Sequence, residues 1–204
     1  MSARRRVIVA GLVIAGLTWA GTIVAAYQVV RRFETTPGVA ADASSSWPAR
    51  STLRRTPGRW SLVMLVHPHC SCSRASIEEL QAILEKAPHT MRTSVLVYRP
   101  SEFPAGWERT DVYESASRLP RTNVIVDRDG REAQVFGGFT SGQTFLYDDT
   151  GRLRFAGGIT SLRGHAGFNR GTADVIQIAN AGQGSGKHPV FGCAISTPEK
   201  GNVQ

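Results

Sequence analysis

From Val7 to Val30 the chain reads VIVAGLVIAGLTWAGTIVAAYQVV, a run free of formal charge in which Gln28 is the one strongly polar side chain. At about 1.5 Å of helix rise per residue, such a run crosses a hydrocarbon core of roughly 30 Å with some tilt. Tyr27 falls near the end of the span, where amphipathic aromatics favour the interface. Arg4, Arg5 and Arg6 precede the run, and Arg31, Arg32 and Glu34 follow it. The positive-inside bias favours a cytoplasmic amino terminus, with residues 33–204 outside. A cleaved signal peptide is the rival reading. Its small-residue pattern, Ala41-Asp42-Ala43, lies far beyond the apolar run, and the run exceeds a signal core of about 7–15 residues. The pattern therefore predicts an uncleaved single-pass anchor over residues 1–32, in contact with lipid through residues 7–30.

The pattern changes twice after the anchor. Residues 33–59 are rich in Ser, Ala, Thr, Pro, Gly and Arg and lack apolar periodicity, which predicts a flexible linker. From residue 60 onward, short apolar runs alternate with helical spacing. Leu62–Val66 has strand length, and Ile77, Leu80, Ile83 and Leu84 lie on one face of a helix that follows. Ser94–Tyr98 and Asn123–Asp127 are further strands, with weak helical spacing over 105–118 between them and a short helix over 131–137 after them. Thr144–Tyr147 and Leu153–Ala156 flank Asp148-Asp149-Thr150-Gly151, the signature of a hairpin. A last helix is expected over 171–181. This order predicts an α/β domain over residues 60–204: a mixed sheet with a parallel βαβ unit, a C-terminal hairpin and helix, and a tail.

Composition sharpens the picture by exclusion. The chain has 204 residues, a net charge of +8 and a pI near 10.1. Arg4, Arg5, Arg6, Arg31 and Arg32 bracket the apolar run, and Arg50, Arg54, Arg55 and Arg59 outweigh Glu34 and Asp42 in the linker. Residues 60–204 carry 15 basic and 14 acidic side chains. The folding part is nearly neutral and offers no basic surface of the kind nucleic acid requires. Three cysteines are too few for a disulfide scaffold, so their positions become the question.

Cys70 and Cys72 stand in His67-Pro-His69-Cys70-Ser-Cys72-Ser-Arg74, where the first strand turns into the first helix of the domain. A strand ending in a cysteine turn that opens a helix, followed by a βαβ unit, a hairpin and a final helix, resembles the thioredoxin-like superfamily over residues 60–182. Cys70-Ser-Cys72-Ser-Arg, the later run Thr140-Ser-Gly-Gln-Thr-Phe-Leu-Tyr-Asp148 and Arg163-Gly-His165 also resemble the membrane-anchored RedB-like group. Counted back from Leu80, Cys70 takes the place of the first cysteine of a Cys-x-x-Cys motif and Ser73 that of the second. Gly142-Gln143 stands where thioredoxins carry a cis-proline.

Cysteine at a helix amino terminus is favoured as the thiolate by unpaired N–H groups and the positive end of the helix dipole. Cys70 is thus the expected nucleophile and Cys72 the expected resolving partner, with His67, His69 and Arg74 adding positive charge. The competing chemistry is a metal site from His67, His69, Cys70 and Cys72, since thiolate and imidazole donors suit copper or zinc. No cofactor is otherwise required. Thioredoxin-like topology implies that the Gly-rich loop after the hairpin lies beside Cys70, which makes Arg163 and His165 candidates for the catalytic machinery, with Asn169 and Arg170 nearby. Cys193 reads first as a buried packing thiol, then as a second resolving cysteine, a third ligand or an intermolecular partner. His89 and His188 read as surface residues. The expected whole is a thiol–disulfide oxidoreductase of the cytoplasmic membrane, its globular domain on the periplasmic side, acting on extracytoplasmic protein thiols or a redox partner. The alternative is a copper or zinc carrier.

Overall fold

The computed structural model describes residues 2–40, 42–88 and 90–195 and divides after Thr36 into two units. The first is one helix, α1 (Ala3–Thr35), with no buried residue and a mean hydropathy of 2.2 over its most apolar window. The hydroxyls of Thr18 and Thr22 donate to the carbonyls of Ile14 and Thr18, each at 2.9 Å, so these two hydroxyls are satisfied inside the helix. A helix that is apolar on every face and long enough to cross a bilayer has the properties of a transmembrane anchor.

The second unit is built on a six-stranded sheet of order β3-β2-β1-β4-β5-β6. Its elements are β1 (Ser61–Val66), α2 (Ser71–Lys86), β2 (Arg92–Arg99), α3 (Asp111–Ser117), β3 (Thr122–Arg128), α4 (Arg131–Val135), β4 (Gln143–Tyr147), β5 (Leu153–Gly158), α5 (Arg170–Ala181) and β6 (Gly186–Lys187). β1, β2 and β3 are parallel, and β4 runs antiparallel to both β1 and β5. Every residue of β1 is buried, which is why its sequence is an unbroken apolar run and not an alternating one. Leu62, Met64 and Val66 enter the core that holds Leu80, Ile83 and Leu84 of α2 and Val175 and Ile178 of α5. Val63 and Leu65 point the other way, into a second cluster with Phe136, Phe145 and Tyr147.

The cover of that second cluster corrects the expected flexible linker at 33–59. From Pro37 onward this segment packs on the sheet. Trp47 meets Phe136 and Tyr147 edge-on, with ring centroids 5.2 Å apart in both cases, and Leu53 joins the same cluster. Backbone bonds run from Trp47 N–H to the Gly151 carbonyl at 2.7 Å and from Leu153 N–H to the Ser45 carbonyl at 2.9 Å. Buried Glu132 accepts from the Thr52 N–H and hydroxyl and from the Ser51 hydroxyl. The physical reason is that, among the described residues of this unit, the helix on this face of the sheet is the five-residue α4. Two apolar side chains in a polar stretch, supported by local hydrogen bonds, are enough to seal it.

Tyr147 lies at the centre of this cluster, and its hydroxyl is buried without a hydrogen-bond partner. Burial pushes its pKa up. Removing an unsatisfied buried hydroxyl recovers desolvation free energy. Tyr147→Phe is therefore expected to raise the urea unfolding midpoint or leave it unchanged, and a fall would contradict the packing described.

The chain after α5 returns to the sheet. β6 pairs with β5 in parallel, Phe155 opposite Gly186 and Ala156 opposite Lys187, and the His188 N–H donates to the Ala156 carbonyl at 3.2 Å. His188, expected at the surface, stacks on Phe155 with centroids 5.7 Å apart and its Nε2 lies 2.7 Å from Asp174 Oδ2. His89 lies outside the described residues.

Candidate functional site

The site forms where β1 ends and α2 begins. Cys70 is the N-cap residue of α2, in extended conformation, and its side chain makes no capping bond. Cys72 stands in the first turn. Both are buried at 4% exposure. An N-cap position lies beside the unpaired amides of a helix amino terminus.

Cys70 is bonded to Cys193, across 123 residues of sequence and 6.4 Å between Cα atoms, while Cys72 is the free cysteine. This differs from the expected Cys70–Cys72 pair and from Cys193 as a packing thiol. The three sulfurs nonetheless form one group, all within 4.8 Å of one another. The tail reaches the site because the chain beyond β6 turns across the ends of the strands. Thr140 and Ala194 form an antiparallel bridge. Ser141 N–H donates to the Cys193 carbonyl at 2.9 Å, and Ile195 N–H donates to the Phe139 carbonyl at 2.8 Å.

Ser141 is the hub of this arrangement. Its hydroxyl accepts from the His67 N–H at 2.9 Å and lies 2.8 Å from the Ser73 hydroxyl, which itself donates to the His67 carbonyl at 2.8 Å. The Ser73 position thus carries a buried hydrogen-bonding clamp between turn and helix, where a Cys-x-x-Cys motif would have its second thiol. Gly142 follows with φ +86°, and a Cβ there would lie 2.8 Å from the Ser76 oxygen of α2. Glycine is needed at this point for both reasons. The described peptide bonds are trans.

The imidazoles pack on aromatic rings and do not join the group of sulfurs. The His67 ring lies 5.5 Å from Tyr98 and 5.8 Å from Trp107 between centroids, and its Nδ1 accepts the His69 N–H at 3.2 Å. The His69 ring packs 4.3 Å from Trp107, with Nε2 2.9 Å from the Trp107 carbonyl. Of the four expected metal donors, the group of sulfurs contains Cys70 and Cys72, and Cys193 takes the place of the histidines.

Burial first, and the neighbouring His69 second, hold the His67 pKa below its ordinary value of 6.5. Its folded-state pKa is then lower than its unfolded one. Its contribution to stability is complete above about pH 6.5 and falls as the pH drops below that value, where the unfolded chain takes up a proton that the folded chain resists. Urea unfolding at pH 7 and pH 5 is expected to show a smaller loss of stability in His67→Gln than in the wild type.

Arg163 lies in the loop between β5 and α5, and its guanidinium donates to the Gly192 carbonyl, one residue before Cys193. It acts on the tail that carries the third cysteine. His165 is exposed in the same loop, and Arg170, the first residue of α5, is exposed as well. Asn169 caps α5, accepting the Thr172 N–H at 2.8 Å, and also donates to Glu79 at 3.0 Å. Buried Glu79 further accepts from the Gly167 N–H and the Thr172 hydroxyl, so one carboxylate of α2 fastens the whole loop. Arg74, exposed, pairs with Asp111.

No protein-family model matches the sequence, and no curated protein matches it. Solved structures do. A hypothetical protein of Sinorhizobium meliloti 1021 superposes with a TM-score of 0.55 at 19% identity, over 78% of this chain and 93% of that one. An uncharacterized conserved protein of Geobacillus kaustophilus gives 0.54 at 12% identity, over 81% and 94%. A secreted disulfide oxidoreductase of Mycobacterium tuberculosis matches at 0.40 and 12% identity, over 61% and 83%. At such identities the likeness is one of fold. The strand order β2-β1-β4-β5, with α2 opening on the cysteine turn and α5 after the hairpin, decides which fold. The fold is thioredoxin-like. Within a thioredoxin-like frame, the residues that sequence reasoning missed are Ser141, Glu79 and Gly192. Ser141 lies inside the run Thr140–Asp148, but nothing in the run marks its hydroxyl as a clamp. Glu79 lies off the apolar face of Ile77, Leu80, Ile83 and Leu84, and nothing in that spacing marks it.

Proposed function

We propose that this chain is a membrane-anchored thiol–disulfide oxidoreductase, akin to the RedB-like group, in which Cys70 exchanges with partner thiols and Cys193 is its resolving cysteine. One observation carries the reading: Cys70, at the amino terminus of α2, is joined to Cys193 with a third sulfur within 4.8 Å. In the reduced protein, the Cys70 thiolate attacks one sulfur of a partner disulfide. A Cys70–partner disulfide forms, and the partner's other sulfur leaves and takes up a proton. The Cys193 thiolate then attacks Cys70, forms the Cys70–Cys193 bond and displaces the partner's remaining sulfur. The partner gains two electrons and the protein dithiol loses two. The reverse sequence oxidises a partner dithiol.

α1 supports anchoring in the cytoplasmic membrane, and Arg4–Arg6 support a periplasmic domain, where a disulfide persists. Arg163 is a positioning residue that holds the carbonyl before Cys193. The test is turnover of a peptide disulfide by the full chain in detergent. Cys70→Ser is expected to abolish it, and retained turnover would refute the reading.

A second reading rests on the same sulfurs. Once reduced, the three thiolates form a compact soft-donor set suited to copper(I) or zinc. Metal analysis of the reduced chain decides it: a bound ion lost in Cys72→Ser favours a carrier, and metal-free protein leaves the oxidoreductase.

A further inference from the structure

Resting on the exchange reading above, we infer that the tail segment Val190–Ile195 occupies the recognition site for a partner strand, so that the partners are extended segments of the pattern Gly–Cys–x–aliphatic. The inference comes from how this one segment is held. It adds to the edge at 139–141 through main-chain bonds, Ser141 N–H to the Cys193 carbonyl and Ile195 N–H to the Phe139 carbonyl. Main-chain pairing of this kind is open to any extended chain, and the side-chain positions supply the selection.

Each position of the segment meets a different surface. Before the cysteine, a Cβ on Gly192 would lie 1.9 Å from the Ser141 carbonyl oxygen, so only glycine passes without moving the edge. The Gly192 carbonyl takes the Arg163 guanidinium. Cys193 meets Cys70. Ala194, opposite Thr140, is exposed and unselected. Ile195 is buried at 5% exposure in the cluster with Phe136, Ala133 and Leu65, its Cγ2 3.0 Å from where a Cβ on Gly130 would be.

A consequence for turnover follows. A partner strand disulfide-bonded to Cys70 and the Cys193 strand need the same edge. When the Cys193 thiolate attacks Cys70, the tail retakes the main-chain bonds of Ser141 and Phe139, and the partner loses its covalent and non-covalent hold together. Resolution and release become one event, and in the oxidised protein the tail fills the edge until an incoming thiol opens the Cys70–Cys193 bond.

The test uses the full chain in detergent with Cys72→Ser and Cys193→Ser, leaving Cys70 as the single thiol. Its substrates are hexapeptides whose cysteine carries a chromophoric aryl thiol as a mixed disulfide. Attack by Cys70 on the peptide sulfur releases the aryl thiolate, which is counted by absorbance. The peptide of sequence Val190–Ile195 is expected to react about tenfold faster, or more, than versions with valine before the cysteine or aspartate at the isoleucine position. Equal rates for all three peptides would overturn strand recognition and leave the exchange reading standing. No reaction with any peptide or with a small aryl disulfide would instead refute the exchange reading. Should the double variant not fold, the reduced chain with Cys72→Ser alone is expected to show the same order of rates, and its oxidised form, in which Cys70 and Cys193 are bonded and no thiol is left, to release nothing. Equal rates there would overturn the inference in the same way.

Discussion

Replacing Cys193 by serine is expected to leave Cys70 able to form a mixed disulfide with a partner and unable to clear it. In the proposed cycle the resolving thiol is delivered by the chain itself, through the bridge of Thr140 with Ala194 and the Ser141–Cys193 bond. An intramolecular thiol acts at an effective concentration in the millimolar range or above, against micromolar partner thiols in an assay. Multiple turnover by Cys193→Ser is therefore expected to fall by about a hundredfold or more, while the first half-reaction proceeds and the adduct on Cys70 accumulates. Single-turnover chromophore release and mass spectrometry of the trapped adduct separate the two steps. Cys72→Ser is expected to keep most of the turnover. If Cys193→Ser turns over normally and Cys72→Ser does not, Cys72 is the resolving residue and the tail is structural.

The second large effect concerns the loop that carries Arg163. Glu79→Ala removes a buried carboxylate that accepts from the Gly167 N–H, Asn169 Nδ2 and the Thr172 hydroxyl, leaving these donors without it. Unmaking a buried set of bonds to a charged acceptor costs about 2–4 kcal/mol, so urea unfolding is expected to show a loss of that order. Glu79→Gln, which keeps an acceptor oxygen, is expected to lose less. Because the loop also positions Arg163 against the Gly192 carbonyl, Glu79→Ala should re-form the Cys70–Cys193 bond more slowly after reduction. A variant as stable as the wild type would show that the loop is held by other means.

The elements that sequence reading recovered are those whose apolar spacing is local. The unbroken run Leu62–Val66, the helix face of Ile77, Leu80, Ile83 and Leu84 and the Asp148–Gly151 turn each announce their structure within a few residues. Cys70 was legible for the same reason, since a cysteine between a buried strand and a helical pattern can only cap that helix. What stayed hidden depends on contacts far apart in sequence. Trp47 and Leu53 look isolated in a polar stretch until Phe136, Phe145 and Tyr147 come to share one face of the sheet. Cys193 gives no local sign of its destination, which is set by main-chain bonds to Phe139 and Ser141 and by the absence of a side chain at Gly192. His67 and His69 show the converse. Their closeness in sequence to the cysteines suggested shared ligation, yet the turn directs both rings to Trp107.

Disulfide mapping across a redox titration tests the central claim most directly. The full chain, equilibrated in thiol–disulfide buffers and alkylated before digestion, is predicted to yield a peptide linking Cys70 to Cys193. That link should open and close reversibly, with Cys72 alkylated throughout the oxidised range. A Cys70–Cys72 link, or Cys193 alkylated while Cys70 is oxidised, would contradict the account.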